Sequence, residues 1–323
     1  MAYFTLLNLV TIIYITYVNA EELNGKFYTS TKNVSCASKA LQSEVFGSLS
    51  QKSCSMLCTQ SDKLCIGFGY SDSKCELCYL CTQPTNSQYL NSDYAIYVDP
   101  STRTLELQQD LLIHVPMDSI SGGAIQAAGT TATVYGTPGP TATAGKVGNA
   151  IFLPNVGHDD NNHIKLGNHI NDCLGNLDLC PNGVTLSLWI KVESGVEQWS
   201  DLMHSTVFWM TFRTGDINYQ PQVYVRNRTH SQLFSHMPVL SYGKWYHMGI
   251  TYAPSTGSEV FFDGCVPAGL EVTTVQQTLA IKNDVELGCN GGAKCLRVHI
   301  DDLRFWKVKK SKLFMWQLSK LEA

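Results

Sequence analysis

The chain has 323 residues, of which 15% are charged, and its formal net charge is −4. Because so sparse and balanced a charge creates no global positive field, we expect neither nucleic-acid binding nor a general attraction to membrane surfaces. Aromatic residues make up 10% of the chain, and helix-favouring runs are short. This composition favours β structure.

The first residues have the features of a secretory signal peptide. Residues 1–20 form an uncharged apolar run, and Val18 and Ala20 at its end fit a cleavage site. The run lacks a preceding basic residue, so an uncleaved signal anchor stays as the alternative. We predict a secreted, extracellular protein without a membrane span in its mature part. Two N-x-S/T sequons, at Asn33 and Asn227, are candidate glycosylation sites.

The twelve cysteines are unevenly distributed, which predicts two modules. A short segment with little apolar material needs covalent cross-links to fold, whereas the long remainder can bury a core of its own. We expect a cysteine-rich module at residues 21–99, a polar linker at 100–109 and a large module at 110–323. The small module contains Cys36, Cys54, Cys58, Cys65, Cys75, Cys78 and Cys81, and the large one contains Cys173, Cys180, Cys265, Cys289 and Cys295.

These cysteines are predicted to form disulfides. Zinc is the rival, since Cys75, Cys78 and Cys81 form two overlapping C-x2-C steps. The cluster contains no histidine, and an oxidising compartment favours disulfides. Seven and five are both odd, so either one bridge joins the modules, or each module keeps a free thiol or bonds to another chain. An unpaired cysteine would permit a disulfide-linked oligomer, and spacing does not fix the connectivity.

The small module contains one predicted helix and one short predicted strand. Residues 50–60 carry Cys54 and Cys58 at helical spacing, and residues 66–70 alternate aromatic residues with glycines. The pattern resembles the PAN/apple family, in which a helix is stapled to a small antiparallel sheet. The resemblance implies an α+β fold, and it is carried by Cys54, Cys58, Cys65, Phe68, Tyr70, Cys75, Leu77 and Cys78.

The large module contains a succession of predicted strands. Residues 111–117 are a strand-like run, and residues 184–192 alternate strictly between apolar and other side chains. Residues 245–252 and 259–262 predict a hairpin with a five-residue loop, and residues 297–306 predict a further strand. Many short strands at regular spacing predict an antiparallel sandwich.

The ordered set of strands resembles the concanavalin A-like jelly-roll domains, particularly their laminin-G-like and pentraxin-like branch. The resemblance implies two sheets packed face to face, with rim loops free to bind glycans, proteins or calcium. The predicted fold class is therefore mainly β, with a C-terminal jelly roll after the small α+β module. The matching pieces are residues 145–150, 185–192, 243–252, 260–264 and 300–306.

Calcium is the candidate cofactor, because it prefers carboxylate and amide oxygens. A turn with Asp159, Asp160 and Asn161 offers such oxygens, and a solvated acidic turn is the alternative. Asp301 and Asp302 are the second candidate pair. For them the alternative is that a carboxylate caps the backbone amides of a neighbouring loop.

Two surfaces are candidates for contact with sugars. Lys307, Lys309, Lys310 and Lys312 lie beside tryptophans and would suit an anionic glycan. The alternative is an amphipathic terminal helix that docks on the sandwich while its lysines face water. A second set of aromatic residues suits either sugar stacking or core packing, and consists of Trp199, Phe208, Trp209 and Phe212.

These features predict a non-enzymatic binding or adhesion protein that recognises extracellular glycans, or matrix and cell-surface proteins, through its rim loops. The strand-face E-x-D-x-E spacing of glucan-cleaving sandwiches is absent from the sequence, as are the nucleophile elbow and the zinc-protease helix. One alternative is a disulfide-linked structural component of the extracellular matrix. The other is a glycoside hydrolase that uses Glu193 or Asp301.

Overall fold

The chain divides into two compact units, Met1–Gln109 and Asp110–Ala323. The second unit contains most of the residues whose placement is defined. The computed structural model describes residues 42–46, 65–71, 74–79, 107–155, 161–193, 200–215, 218–226, 230–235, 237–267, 270–276, 284–288 and 295–319.

The described part of the first unit is a small antiparallel sheet. Its strands are β1 (Gln42–Phe46), β2 (Cys65–Ser71) and β3 (Lys74–Tyr79), and β3 lies between the other two. The strand predicted at residues 66–70 falls within β2. The predicted helix at residues 50–60 and the predicted signal peptide lie outside the described residues.

The described strands of the second unit form two antiparallel sheets. In chain order they are β4 (Leu111–Val115), β5 (Ile120–Ser121), β6 (Ala124–Ile125), β7 (Ala132–Tyr135), β8 (Thr141–Ala144), β9 (Asn149–Leu153), β10 (His163–Asn168), β11 (Val184–Val192), β12 (Ser200–His204), β13 (Phe208–Gly215), β14 (Asn218–Arg226), β15 (His230–Ser235), β16 (Trp245–Ala253), β17 (Gly257–Phe262), β18 (Glu271–Gln276), β19 (Asp284–Leu287) and β20 (Val298–Trp306). Sheet A has the order β18-β15-β14-β13-β12-β19-β10-β7-β6-β5. Sheet B has the order β17-β16-β11-β20-β9-β8, and β4 also pairs with β20.

The two sheets enclose one hydrophobic core, which makes the unit a β-sandwich, as the strand pattern predicted. Leu186 and Ile190 of sheet B belong to the same buried cluster as Met210 and Val223 of sheet A. The rings of Phe208 and Phe305 meet across the core, with centroids 6.2 Å apart. Burial of this apolar surface is the main force that holds the sheets together, at about 25 cal/mol for each Å² removed from water.

The predicted strand and hairpin of sheet B are confirmed, but the hairpin loop has three residues, 254–256, because Ala253 and Gly257 pair; the predicted loop length of five residues is wrong. β11 spans the alternating residues, and β16 and β17 pair as a hairpin from Met248 opposite Phe262 to Ala253 opposite Gly257. The next turn uses Asp263 in the left-handed region, at a φ of 49°, followed by Gly264. Aspartate and glycine tolerate this backbone conformation better than other residues do.

A short helix covers part of the outer face of sheet B. Helix α1 (Lys312–Leu318) begins at Ser311, whose Oγ accepts a hydrogen bond from the Phe314 backbone N–H at 3.1 Å. Phe314 packs edge-on against Trp306, and Met315 lies over Gly249. The described helices include none long and apolar enough to cross a membrane.

Candidate binding face

The outer face of sheet A carries polar and aromatic side chains in place of a second apolar layer. Strand β13 shows the cause, because successive side chains of a strand point to opposite faces. Phe208, Met210 and Phe212 are fully buried in the core. Trp209 and Thr211 alternate with them, so their side chains lie on the outer face.

A continuous row of these outer side chains crosses six neighbouring strands of sheet A. Register pairs align the row: Tyr135 is opposite His163, Lys165 is opposite Glu286, and His204 is opposite both Glu286 and Trp209. With neighbouring strands about 4.8 Å apart, the row from β7 to β14 is about 24 Å long. We call this row the aromatic band. Its members are Tyr135, His163, Lys165, His204, Trp209, Tyr224, Arg226 and Glu286.

One end of the aromatic band presents an exposed ring. Tyr135 is 44% exposed and stacks on His163, with ring centroids 5.0 Å apart. The Lys165 ammonium lies 5.7 Å from the Tyr135 ring centroid and 3.1 Å from the Glu286 carboxylate. The hydrogen bond to Glu286 raises the pKa of Lys165 above its usual value, although burial opposes that change. This end therefore combines an aromatic surface with a fixed pair of opposite charges.

The other end contains a stacked pair of rings. Trp209 stacks on Tyr224, with centroids 4.8 Å apart, and His204 meets the Trp209 ring edge-on. The Trp209 indole Nε1–H donates a hydrogen bond to Asp201 Oδ1 at 2.8 Å. This bond fixes the orientation of the indole, since a buried or half-buried tryptophan needs an acceptor for its single N–H.

Arg226 completes this end of the band. Its guanidinium carbon lies 4.5 Å from the Trp209 ring centroid and 5.1 Å from that of Tyr224. The residue is only 8% exposed. Burial lowers the pKa of Arg226 from its usual value, against the charge of Tyr224 and Asp201, which raise it. A cation over aromatic rings is attracted by their π-electron density.

The carboxylates of β20 serve the framework of sheet B. Asp301 is fully buried, and its Oδ2 accepts hydrogen bonds from the backbone N–H groups of Lys146 (2.7 Å) and Val147 (2.8 Å). Burial raises the pKa of Asp301 to about 6, although these two amides lower it. Asp301 therefore caps the backbone amides of a neighbouring loop, as the alternative to calcium binding by Asp301 and Asp302 expected.

Asp302 binds two basic side chains. Its Oδ1 accepts hydrogen bonds from His114 Nε2 at 2.8 Å and from Arg304 Nε at 2.9 Å. Burial alone would raise the pKa of Asp302, but the His114 hydrogen bond and the Arg304 charge hold it below its usual value. Asp302 therefore links β20 to β4 as an ionised residue.

Glu193, the other proposed hydrolase residue, also has partners in sheet B. Its Oε1 lies 3.0 Å from His299 Nε2 and 3.7 Å from Lys191 Nζ. His299 Nδ1 is 2.9 Å from the Thr143 hydroxyl. Burial and the neighbouring Lys191 lower the pKa of His299 despite the Glu193 carboxylate.

The predicted calcium turn is only partly visible. Asp159 and Asp160 lie outside the described residues, whereas Asn161 is exposed and its backbone carbonyl is 2.9 Å from His163 Nδ1. Next to it, the fully buried Asn162 accepts a hydrogen bond from the Gly139 backbone N–H at 2.9 Å. Within the described ranges, no group of three His, Cys, Asp or Glu side chains is placed to hold a metal ion. Calcium at this turn stays a prediction.

Two of the lysines around helix α1 form ion pairs with the same carboxylate. Glu259 lies 2.9 Å from Lys309 Nζ and 3.3 Å from Lys312 Nζ. Burial alone would raise the pKa of Glu259, but the two lysines lower it. Lys310 Nζ lies 5.0 Å from the Phe314 ring centroid, and Lys307 is exposed. The predicted anionic-glycan patch therefore includes the negative charge of Glu259, which lies far from these lysines in the sequence.

The four cysteines whose side chains are described are all in disulfides. Cys173 is bonded to Cys180, and Cys265 and Cys295 are also disulfide-bonded. The side chains of the other eight cysteines lie outside the described part of the chain, as do the sequons at Asn33 and Asn227. Those eight are Cys36, Cys54, Cys58, Cys65, Cys75, Cys78, Cys81 and Cys289.

Of the aromatic residues named from sequence, one belongs to the aromatic band. Phe208 and Phe212 are core residues, and Trp199 lies outside the described residues. Sequence reasoning missed Tyr135, Tyr224 and the charged members of the band. The sequence does contain a pattern that predicts strand β14. Val223 and Val225 alternate with Tyr224 and Arg226, as a strand with one apolar face requires.

The two packed antiparallel sheets, one of which has a polar and aromatic outer face, form a β-sandwich of the jelly-roll type. Residues 159–312 match the concanavalin A-like lectin/glucanases superfamily as a laminin-G-type domain. This match supports the predicted concanavalin A-like domain at residues 159–312. The PAN/apple resemblance of the small module stays a prediction. No curated protein sequence matches the chain.

Solved structures similar to this chain include both binding domains and parts of glycosidases. Domain 4 of a GH43 extracellular arabinanase from Geobacillus stearothermophilus, in complex with arabinotriose, is 14% identical with a TM-score of 0.45 and covers 65% of this chain and 98% of its own. The botulinum neurotoxin serotype D binding domain is 14% identical with a TM-score of 0.47, over 67% of this chain and 52% of its own. Trypanosoma rangeli sialidase is 16% identical with a TM-score of 0.43, over 66% of this chain and 33% of its own.

Proposed function

We propose that this is a secreted, non-enzymatic protein whose large module binds glycans of the extracellular matrix or cell surface through the aromatic band. The band itself carries the proposal. It places an exposed tyrosine, a stacked tryptophan and tyrosine, and alternating charges in one row on the sheet face that does not pack in the core. Aromatic rings bind the apolar faces of sugars, while neighbouring polar groups pair with hydroxyls and fix orientation.

A ligand that contacts both ends of the aromatic band would have to be an oligosaccharide that spans His163, His204 and Glu286, which lie between the ends and are at most 9% exposed. The exposed ring of Tyr135 and the guanidinium of Arg226 are at opposite ends of a row about 24 Å long. The proposal moves the binding surface from the rim loops, expected from sequence, to a sheet face. Calcium at Asp159, Asp160 and Asn161 is proposed as an addition at the rim.

The disulfides support the proposed secretion, and the burial of Asp301 supports a non-enzymatic role. Disulfides such as Cys173–Cys180 persist in oxidising compartments, which agrees with secretion. The hydrolase alternative needs a carboxyl group that reaches substrate. Asp301 has no exposed surface, and its Oδ2 accepts hydrogen bonds from two backbone N–H groups.

A glycan array with the folded full-length protein tests the proposal. The variant Tyr135→Ala removes the exposed ring, and Tyr242→Ala is its matched control, since both tyrosines are 44% exposed and Tyr242 lies in the turn before β16. We expect wild type to bind a restricted set of glycans, Tyr135→Ala to bind them about tenfold more weakly, which corresponds to about 1.4 kcal/mol, and Tyr242→Ala to match wild type. An empty array with folded protein, or equal losses in the two variants, would contradict the proposal. Repeating the array with a calcium chelator tests the rim site.

The odd number of cysteines in each module is compatible with a second candidate, a disulfide-linked matrix component, as well as with one bridge between the modules. The large module has five cysteines, and the Cys173–Cys180 bond leaves Cys265, Cys289 and Cys295. Three cysteines cannot all pair with one another, so one must bond outside this module or stay free. Non-reducing electrophoresis separates the candidates, because discrete covalent multimers favour the matrix role and a monomer favours the binding protein.

A further inference from the structure

The side chain of Arg226 is buried, and its Nε has no acceptor among the described residues. Arg226 is 8% exposed, and its Nε has neither solvent nor a hydrogen-bond partner. No carboxylate among the described residues lies within ion-pair distance of it, and its side-chain contacts there are the Trp209 and Tyr224 rings. Its backbone N–H is occupied separately, by the carbonyl of Val207 at 2.8 Å.

This arrangement is unusual for an arginine inside a protein. Buried charged side chains are normally paired and hydrogen-bonded, because loss of water around an unpaired charge is costly. The two aromatic rings offset part of that cost through cation–π attraction, but they accept none of the five guanidinium N–H groups. The side chain is thus held in place while its Nε–H has no acceptor among its described neighbours.

Asp201 is the described carboxylate whose charge acts on Arg226, and no ion pair joins the two residues. Its charge acts on Arg226 at a distance, but its Oδ1 accepts the indole N–H of Trp209. Asp201 therefore orients the ring on which the guanidinium lies. The site has an aromatic floor, a fixed cation and a supporting carboxylate.

We infer that Arg226 recognises the carboxylate of an acidic sugar at its end of the aromatic band. The planar guanidinium matches a carboxylate, which can accept two parallel N–H bonds, better than it matches a single neutral hydroxyl. The Trp209 and Tyr224 rings would contact the apolar part of the same sugar. This inference rests on the proposed glycan binding and specifies the chemical class of one sugar in the ligand.

Two matched pairs of probes test the inference with the full-length protein. The first pair is trigalacturonic acid and its methyl ester, and the second is 3′-sialyllactose and its methyl ester. Within each pair the members differ only in esterification of the carboxyl groups, which removes their charge. The two pairs distinguish a uronic acid from a sialic acid as the source of the carboxylate. Isothermal titration calorimetry measures the affinity of each probe for wild type, Arg226→Gln, Arg226→Lys and the control Lys244→Gln. Lys244 is exposed in the turn before β16, so its variant loses the same charge elsewhere.

We expect wild type to bind the acidic member of one pair at least about tenfold more tightly than the neutral member. Arg226→Gln should reduce the affinity for the acidic member to that for the neutral one, Arg226→Lys should restore part of the preference, and Lys244→Gln should match wild type. Absence of an acidic preference in both pairs would overturn the inference, even if Arg226→Gln failed to fold, because this comparison needs no variant. A preference that survives in Arg226→Gln would also overturn it. Neutral-probe binding that Tyr135→Ala weakens, together with no acidic preference in either pair, would overturn the inference and still support the proposed glycan binding.

Discussion

Replacement of Asp301 by asparagine tests how a buried carboxylate contributes to the pH dependence of stability. The folded protein raises the pKa of Asp301 from 3.8 to about 6, chiefly by burial. Because the folded state holds the proton more tightly than the unfolded chain does, this group stabilises the fold at low pH. That stabilisation is lost as the pH rises through about 6.

The magnitude follows from the two pKa values. Each pKa unit corresponds to about 1.4 kcal/mol, so the full effect of Asp301 is about 3 kcal/mol. Between pH values of about 4.5 and 7.5 the loss is about 2 kcal/mol. Asparagine cannot ionise, and its side-chain oxygen can still accept from Lys146 and Val147. As the pH rises across this interval, the free energy of unfolding of Asp301→Asn should therefore increase by about 2 kcal/mol relative to that of wild type.

Urea unfolding of both proteins at the two pH values measures this difference directly. The comparison cancels the titration of every other group that the two proteins share. Asp178→Asn is the control, since Asp178 is an exposed aspartate of the same module, and its difference from wild type should change much less. A difference between Asp301→Asn and wild type that stays constant with pH, or falls as the pH rises, would refute this account of the buried carboxylate.

Two further predictions concern the surface around helix α1. A Cβ added at Gly249 would overlap the terminal methyl of Met315, the flexible end of that side chain. Gly249→Ala should therefore cost about 1 kcal/mol, at the low end of overpacking effects. Combination with Met315→Ala should cost less than the sum of the single changes in urea unfolding, and simple additivity would contradict the contact. Glu259→Gln should release Lys309 and Lys312 from their ion pairs at a stability cost of about 1 kcal/mol or less. The variant should then elute from a heparin column at higher salt than wild type, and unchanged elution would count against the lysine patch as an anion-binding surface.

The strands of the sandwich could be predicted because their signal is local. Residues 184–192 alternate in side-chain character, and the hairpin of β16 and β17 is marked by two apolar runs around a short polar turn. A half-buried strand requires this alternation wherever its partners lie in the sequence. The burial of Thr185 and Ser187 on the outer face of β11 was not predicted, because neighbouring strands and a helix far along the chain cover that face.

The aromatic band could not be predicted in the same way. Tyr135, Glu286 and Trp209 meet through strand pairings between residues that are far apart in sequence, and a shift of one residue in any register would move a side chain to the core face. Arg226 shows the same limit. Its alternation with Val225 predicts an outward side chain, but its burial depends on Trp209, which comes from another strand.

The most direct test of the aromatic band is to observe Trp209 while a glycan binds. The tryptophan indole N–H signals in a ¹H–¹⁵N correlation spectrum of the full-length protein can be followed during titration with the strongest ligand of the array, with Trp209→Phe to assign the signal. We predict a saturable shift of the Trp209 signal and none of the Trp245 signal, since Trp245 lies on sheet B. Binding that leaves Trp209 unchanged, or that shifts Trp245 in its place, would contradict the claim that the outer face of sheet A is the binding surface.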